Sequence, residues 1–358
     1  MSRYAQPLVV SIFALAMITY RLRRRRRDKD GIELHVAVHP SDRYAAVAAA
    51  RNWPMKAVEP YTLLIGPPPS GKGIPKSRLH VSLRHEHDRK PHVSDAATMD
   101  RVWSAKLAKA KASGGRLFDQ SKFRLHGIVW AGDETLGGDG GGDDAALMSM
   151  QIGLTSYKEY VCSNLLPDVD REEMEADGAA AHGDSLAHLS NALGCEAMLV
   201  TSDGQAVLLR RSGAVATGSG LYNGPSGHAE PSNAGISTHA ADTGQSVANA
   251  LARDELYGAI LAEVHEETNV PLSDLSPPLL IGAMADSHRK PDLLFQVSTR
   301  LDSHGVRAAY ARGASEGWES DKLTFWPAAT LVHCDTLPLT AVTRAAAACF
   351  AALRSQDA

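Results

Sequence analysis

Glu263, Glu266 and Glu267 are the residues of this chain whose type and spacing point most directly to chemistry. At roughly 100° per residue, positions i, i+3 and i+4 of a helix share one side, within an arc of about 100°. Three carboxylates crowded there repel one another unless a cation sits among them. Oxygen donors of this kind suit a hard divalent ion such as Mg²⁺, with Mn²⁺ as a substitute. A bound ion can offset phosphate charge and lower the pKa of a bound water, so metal-assisted hydrolysis is the chemistry to look for. A solvated acidic helix face is the bland alternative. Tyr257, Leu261, Val264 and Thr268 fall on a neighbouring arc that can face a core. Asn269, which tolerates the left-handed conformation, stands where the helix should stop.

The helix needs a sheet to lie on. Strands are expected at 197–201 and 206–211, joined at Asp203-Gly204, a hairpin signal. Further strands are expected at 279–285, 293–301 and 322–327, with a closing helix over 341–353. Arg210 and Arg211 must point to opposite faces of their strand, so at most one can face the carboxylates. Between the hairpin and the carboxylate helix runs Gly227-His228-Ala229-Glu230-Pro231, whose glycine lets backbone approach a bound group closely.

The first half reads as mixed α+β. Residues 32–50 suggest a strand and a short helix, 61–65 a second strand, and 123–130 and 145–154 two more. Ser94 reads as the N-cap of a helix running through Trp103 and Leu107. Gly66 to Gly73 looks like a phosphate-binding loop, but Gly73 stands where a magnesium-binding Ser or Thr belongs. Three prolines also remove amides there. A turn-rich surface loop is the expectation. Residues 132–144, with six glycines and four aspartates, read as a flexible loop. The chain turns acidic and Ala/Gly-rich over 168–183. The expected division is therefore an N-terminal segment at 1–31, an α+β domain at 32–183 and an α/β domain at 184–358, with helices on both faces of its sheet.

A length of 358 residues allows two ordinary domains, and a net charge of -4 argues against nucleic acid as a partner. Cys162, Cys195, Cys334 and Cys349 show no CxxC pairing and read as reduced core thiols. Residues 8–20 are almost wholly apolar, and arginines follow at 21 and 23–27. As a helix this run is about 20 Å long, short of the roughly 30 Å of a bilayer core. Membrane contact through residues 4–27 with the rest cytoplasmic, an organelle-targeting segment and a disordered start all stay open.

Gly227 to Pro231, followed by Ala262-Glu263-Val264-His265-Glu266-Glu267-Thr268-Asn269-Val270, resembles the Nudix box of the Nudix hydrolases. Glu263, Glu266 and Glu267 match its three glutamates, and Val264 and Val270 its apolar positions. Ala262 replaces its arginine, Asn269 its second glycine and Asn233 its first glutamate. Twenty-eight residues lie between Asn233 and Ala262, where the pattern leaves about seven. The split box is similar to that of one branch, the UDP-glucose diphosphatases (UDP-sugar pyrophosphatases). Leu117-Phe118-Asp119, residues 122–126 and residues 153–157 also resemble segments of that branch, as does Glu255-Leu256.

The resemblance implies a Nudix α/β/α sandwich, with an α+β domain before it, and Mg²⁺-dependent hydrolysis of a UDP-sugar to UMP and the sugar 1-phosphate. It implies Glu263 and Glu267 as metal ligands and Glu266 as a third ligand or the base. Gly227, His228 and Glu230 would line the diphosphate, although His228 reads equally as an ordinary loop residue and Glu230 more readily as a solvated loop carboxylate. Lys122, Arg124, Arg210 and Arg211 are candidates for touching it, beside their ordinary reading as surface cations. The alternatives are another nucleoside diphosphate derivative, such as ADP-ribose or a dinucleotide, and a module that binds without catalysis. The partner expected is a small nucleotide sugar, and the oligomeric state is open.

Overall fold

The computed structural model describes residues 61–68, 71–112, 117–130, 147–213, 218–236, 244–315 and 319–355. It also describes three short strands, β1 (Arg26–Arg27), β2 (Glu33–Leu34) and β3 (Val47–Ala48). Apart from those strands, the segments read at 4–27 and 32–50 lie outside the described residues, as does the glycine loop at 132–144. Among the described residues no helix is long and apolar enough to cross a membrane.

The remaining strands are β4 (Tyr61–Ile65), β5 (Leu79–Leu83), β6 (Ser121–Trp130), β7 (Met148–Ser156), β8 (Gly194–Val200), β9 (Gln205–Arg211), β10 (Tyr222–Asn223), β11 (Ser226–His228), β12 (Leu279–Ala285), β13 (Pro291–Ser298) and β14 (Ser320–Pro327). They form a small sheet in the order β5-β7-β6 and a large one in the order β10-β9-β8-β13-β12-β4-β3. β14 pairs with β9 and β11 with β8.

Side chains alternate across a strand, and here the alternation fills two cores. Cys195, Ala197 and Leu199 of β8, with Leu293, Phe295 and Val297 of β13, pack against Tyr257, Ile260 and Val264 of the carboxylate helix (Gln245–Thr268). Met198 and Leu294 face the other way, onto the C-terminal helix (Ala341–Arg354). The large sheet is thus a layer between helices, the α/β/α sandwich expected. Each of the three helix side chains named is almost fully buried, worth ~1.5–3 kcal/mol apiece. Asn269 ends the carboxylate helix at φ 58°, in the left-handed region as expected. Its side-chain amide donates to the Ala309 carbonyl at 3.0 Å.

Several elements differ from the sequence reading. β4 lies in the large sheet, paired with β12, and the core around the carboxylate helix also takes in Val81, Leu83, Phe123 and Ile152 of the small sheet. Residues 168–182, where a domain boundary is expected, form a helix (Asp168–His182) closed by Gly183 at φ 67°. The loop at 66–73 is not wholly superficial among its described residues. Gly66, Pro68, Gly71 and Gly73 are buried; Ile74 pairs with Leu280, and a Cβ on Gly73 would overlap Leu279. Ser94 does sit at the N-cap of Asp95–Thr98, but its side chain makes no cap bond. Its hydroxyl meets His92 Nδ1 at 2.8 Å instead.

Candidate active site

Two of the three glutamates meet the glycine strand. β11 is held against β8, with Gly227 opposite Cys195 and His228 opposite Gly194. The helix brings Glu263 and Glu267 down on it one turn apart. The His228 amide donates to Glu263 Oε1 at 3.3 Å, and the Ser226 amide makes a long contact with Glu267 Oε1 at 3.5 Å. A Cβ at Gly227 would overlap the Glu263 carboxylate. Only glycine leaves the carboxylate that place, so the glycine and the glutamate are one device.

Glu267 is buried at 5% exposure. Burial pushes its carboxyl well above the usual range, and the charges of Glu263 and then Glu319 push it further. The Ser226 amide and Arg211 work the other way. Two hydrogen-bond acceptors crowded in a buried place with excess negative charge suit a hard cation. Glu266 stands about 100° round the helix axis from Glu267. Its side chain makes no hydrogen bond or ion pair among the described residues, while its backbone carbonyl accepts from Ser315 Oγ at 3.4 Å. Among the described residues no three His, Cys, Asp or Glu side chains are grouped closely enough to hold an ion. The donor set that fits one is the Glu263–Glu267 pair, with Glu266 within reach of the same helix side.

The neighbouring expected residues have acquired partners. Glu230 pairs with Lys122 of β6, so neither is a free surface charge. The Glu230 amide donates to Glu255 Oε1 at 3.0 Å, and Asn233 Nδ2 reaches the same oxygen at 3.2 Å. Asn233, which stands where the box expects a glutamate, therefore meets a carboxylate supplied by the helix. Arg124 is not a surface cation but a buried brace. It donates to the carbonyls of His87, Leu186 and Leu189 at 2.9, 2.7 and 3.2 Å. Arg210 turns outward to Asp321 at 2.6 Å, whereas the charge of Arg211 acts on Glu267 and Glu319. Of the two arginines, Arg211 is therefore the one on the carboxylate side. Trp103 and Phe123 are buried and Trp130 packs against the core, as packing residues should. All four cysteines are buried free thiols.

Lys290, Asp292 and Glu196 carry no signal in the sequence. Lys290 and Asp292 form an ion pair at the start of β13, separated from the carboxylates in sequence by the strand β12. Glu196 lies on β8 opposite Ser226, with its Oε2 lacking a hydrogen-bond partner among the described residues. Burial pushes its carboxyl up to about 8, against a hydrogen bond with Thr343. The folded chain keeps this proton where the unfolded chain has lost it. Stability contributed by the group therefore falls as pH rises from about 4.5 to about 8. Glu196→Gln is expected to remove that slope, so that variant and parent differ little at pH 5 and the variant melts higher at pH 8. Equal melting temperatures across that range would place the proton elsewhere.

No family model matches the chain. It is similar to several proteins of known name. With Uridine diphosphate glucose pyrophosphatase NUDT22 of Homo sapiens it shares 34% identity over 266 residues, 74% of this chain and 82% of that one. With the protein of the same name from Mus musculus it shares 31% over 258 residues, 71% and 77% of the two chains. With Nudix hydrolase 9 of Arabidopsis thaliana it shares 30% over 270 residues, 74% and 81%.

Proposed function

The chain belongs to the Nudix hydrolases, and we propose that it cleaves the diphosphate of a UDP-sugar, UDP-glucose foremost, into UMP and the sugar 1-phosphate with Mg²⁺. The observation that carries the reading is the Glu263 carboxylate lodged on Gly227, with Glu267 buried beside it. The names of the human and mouse relatives support the substrate.

Glu263 and Glu267 would hold Mg²⁺, Glu266 joining them directly or through water; Mn²⁺ suits the same oxygens. When bound, the ion offsets the phosphate charge, polarises phosphorus and acidifies a bound water. The chain's own residues do the rest. Gly227 lets the backbone of β11 approach the diphosphate, and the amides of Ser226 and His228 hold the two ligand carboxylates in place. Glu266, with no partner of its own among the described residues, would take the proton of the attacking water. The water oxygen bonds to phosphorus, the anhydride P–O bond breaks, and the leaving phosphate departs with the electron pair.

The test is release of UMP from UDP-glucose by the purified full chain, set beside ADP-ribose and a dinucleoside diphosphate, with Mg²⁺ and with chelator. UDP-glucose should be cleaved fastest, and chelation should end turnover. Faster cleavage of ADP-ribose would move the assignment to that substrate.

A further inference from the structure

Two cations next to the glycine strand have no part in the mechanism above. Lys122 comes from the small sheet and is buried at 5% exposure, paired with Glu230. Lys290 comes from the turn between β12 and β13 and is paired with Asp292. Both converge on His228. His228 faces Gly194 from one side in the sheet, and Asp292 faces it from the other. A Cβ on Gly194 would overlap Lys290 Nζ and the Asp292 carboxylate, so that ion pair occupies the space over Gly194 beside His228. Lys122 reaches the same place through Glu230, two residues beyond His228. The charges of Lys290 and Lys122 both act on the His228 ring.

From this convergence we infer that Lys122, His228 and Lys290 form a phosphate-binding subsite adjoining Glu263, which grips one phosphate of the substrate's diphosphate. The inference rests on the reading that this cleft takes a diphosphate.

The carboxylate partners fit such a subsite. An ammonium has three N–H donors, and a single carboxylate oxygen uses one of them. Glu230 and Asp292 offset the cost of placing the lysines out of water and fix where the remaining donors point. The turn carrying Lys290 is itself pinned, since Asp286 Oδ1 accepts from the amides of His288 and Lys290 at 2.8 and 2.9 Å. His228 brings the subsite to the metal carboxylates, because its own amide donates to Glu263. A phosphate lodged there would sit between two positive charges from different sheets. The small sheet would then be part of the active site.

The test is calorimetric titration of methylenediphosphonate into the full chain in the presence of chelator, so that no metal contributes. The parent should bind. Lys122→Met and Lys290→Met should each weaken binding by about tenfold or more, and Lys→Arg at either position should restore most of it. Removing one partner leaves a buried carboxylate uncompensated, so the paired variants Lys122→Met with Glu230→Gln and Lys290→Met with Asp292→Asn are measured too. Paired variants that fold and bind as tightly as the parent overturn the subsite, as does a parent that fails to bind. A parent that binds through the lysines yet cleaves no UDP-sugar supports the subsite and sinks the substrate assignment instead.

Discussion

Glu267→Gln should lower kcat by ~10³-fold or more with Mg²⁺ present and, without metal, make the protein harder to melt. Both effects come from one cause. The Glu267 carboxyl is buried, and the charges of Glu263 and Glu319 oppose its ionisation, so in the metal-free fold it is a cost that a cation relieves. Glutamine keeps the shape and removes the charge. With chelator, the variant should therefore melt a few degrees above the parent. The sign follows from a folded pKa raised above the unfolded one. The parent's stability falls as pH rises through the ordinary carboxylate range, so the gap should open toward neutral pH and close in acid. Saturating Mg²⁺ should stabilise the parent and not the variant. Melting curves at two pH values, with and without metal, check each step. A variant that turns over at the parent's rate would remove Glu267 from the metal site.

Gly227→Ala should cost at least ~10²-fold in kcat while leaving the melting temperature almost unchanged. An added methyl would stand 2.6 Å from the farther Glu263 oxygen and overlap the nearer one. The crowded group is the far end of a flexible side chain, which can swing aside without moving the helix. The fold survives, but a carboxylate displaced by an ångström or more no longer holds its ion where the chemistry needs it. The comparison that matters is with Gly204→Ala. Gly204 sits in a hairpin turn at φ 77° with open space around it, so alanine there is strained but far from the carboxylates. That variant should lose stability and keep kcat. A Gly227→Ala protein that unfolds easily but works normally when folded would reverse the assignment.

The sequence made local features legible and distant ones invisible. The carboxylate helix and its Asn269 stop, the hairpin at Asp203-Gly204, and the strand at Leu279–Ala285 all announce themselves within a dozen residues. So does the rule that Arg210 and Arg211 must part. The lysine of β6 that pairs with Glu230 could not be separated from a surface charge, because its partner lies over a hundred positions away. Lys290 and Asp292 are plain charged residues at the end of a turn, and only the register of β13 against β8 brings them over Gly194. Glu196 breaks an apolar strand without any local sign that its environment is dry. For Lys290 and Asp292 the missing information was a strand register, which a periodicity of two does not encode.

β4 has a bearing on how the chain reaches this form. Its partner β12 is roughly two hundred residues later, at the Ile65–Ala283 pairing. A ribosome makes one long before the other. Until then, the edge of β4 that β12 will cover offers an apolar stretch of backbone to any neighbour with free amides, the situation in which nascent chains aggregate. Loop closure over that span also comes late and slowly. Release from denaturant should accordingly be slow, and chaperone capture of the half-made polypeptide is a natural safeguard.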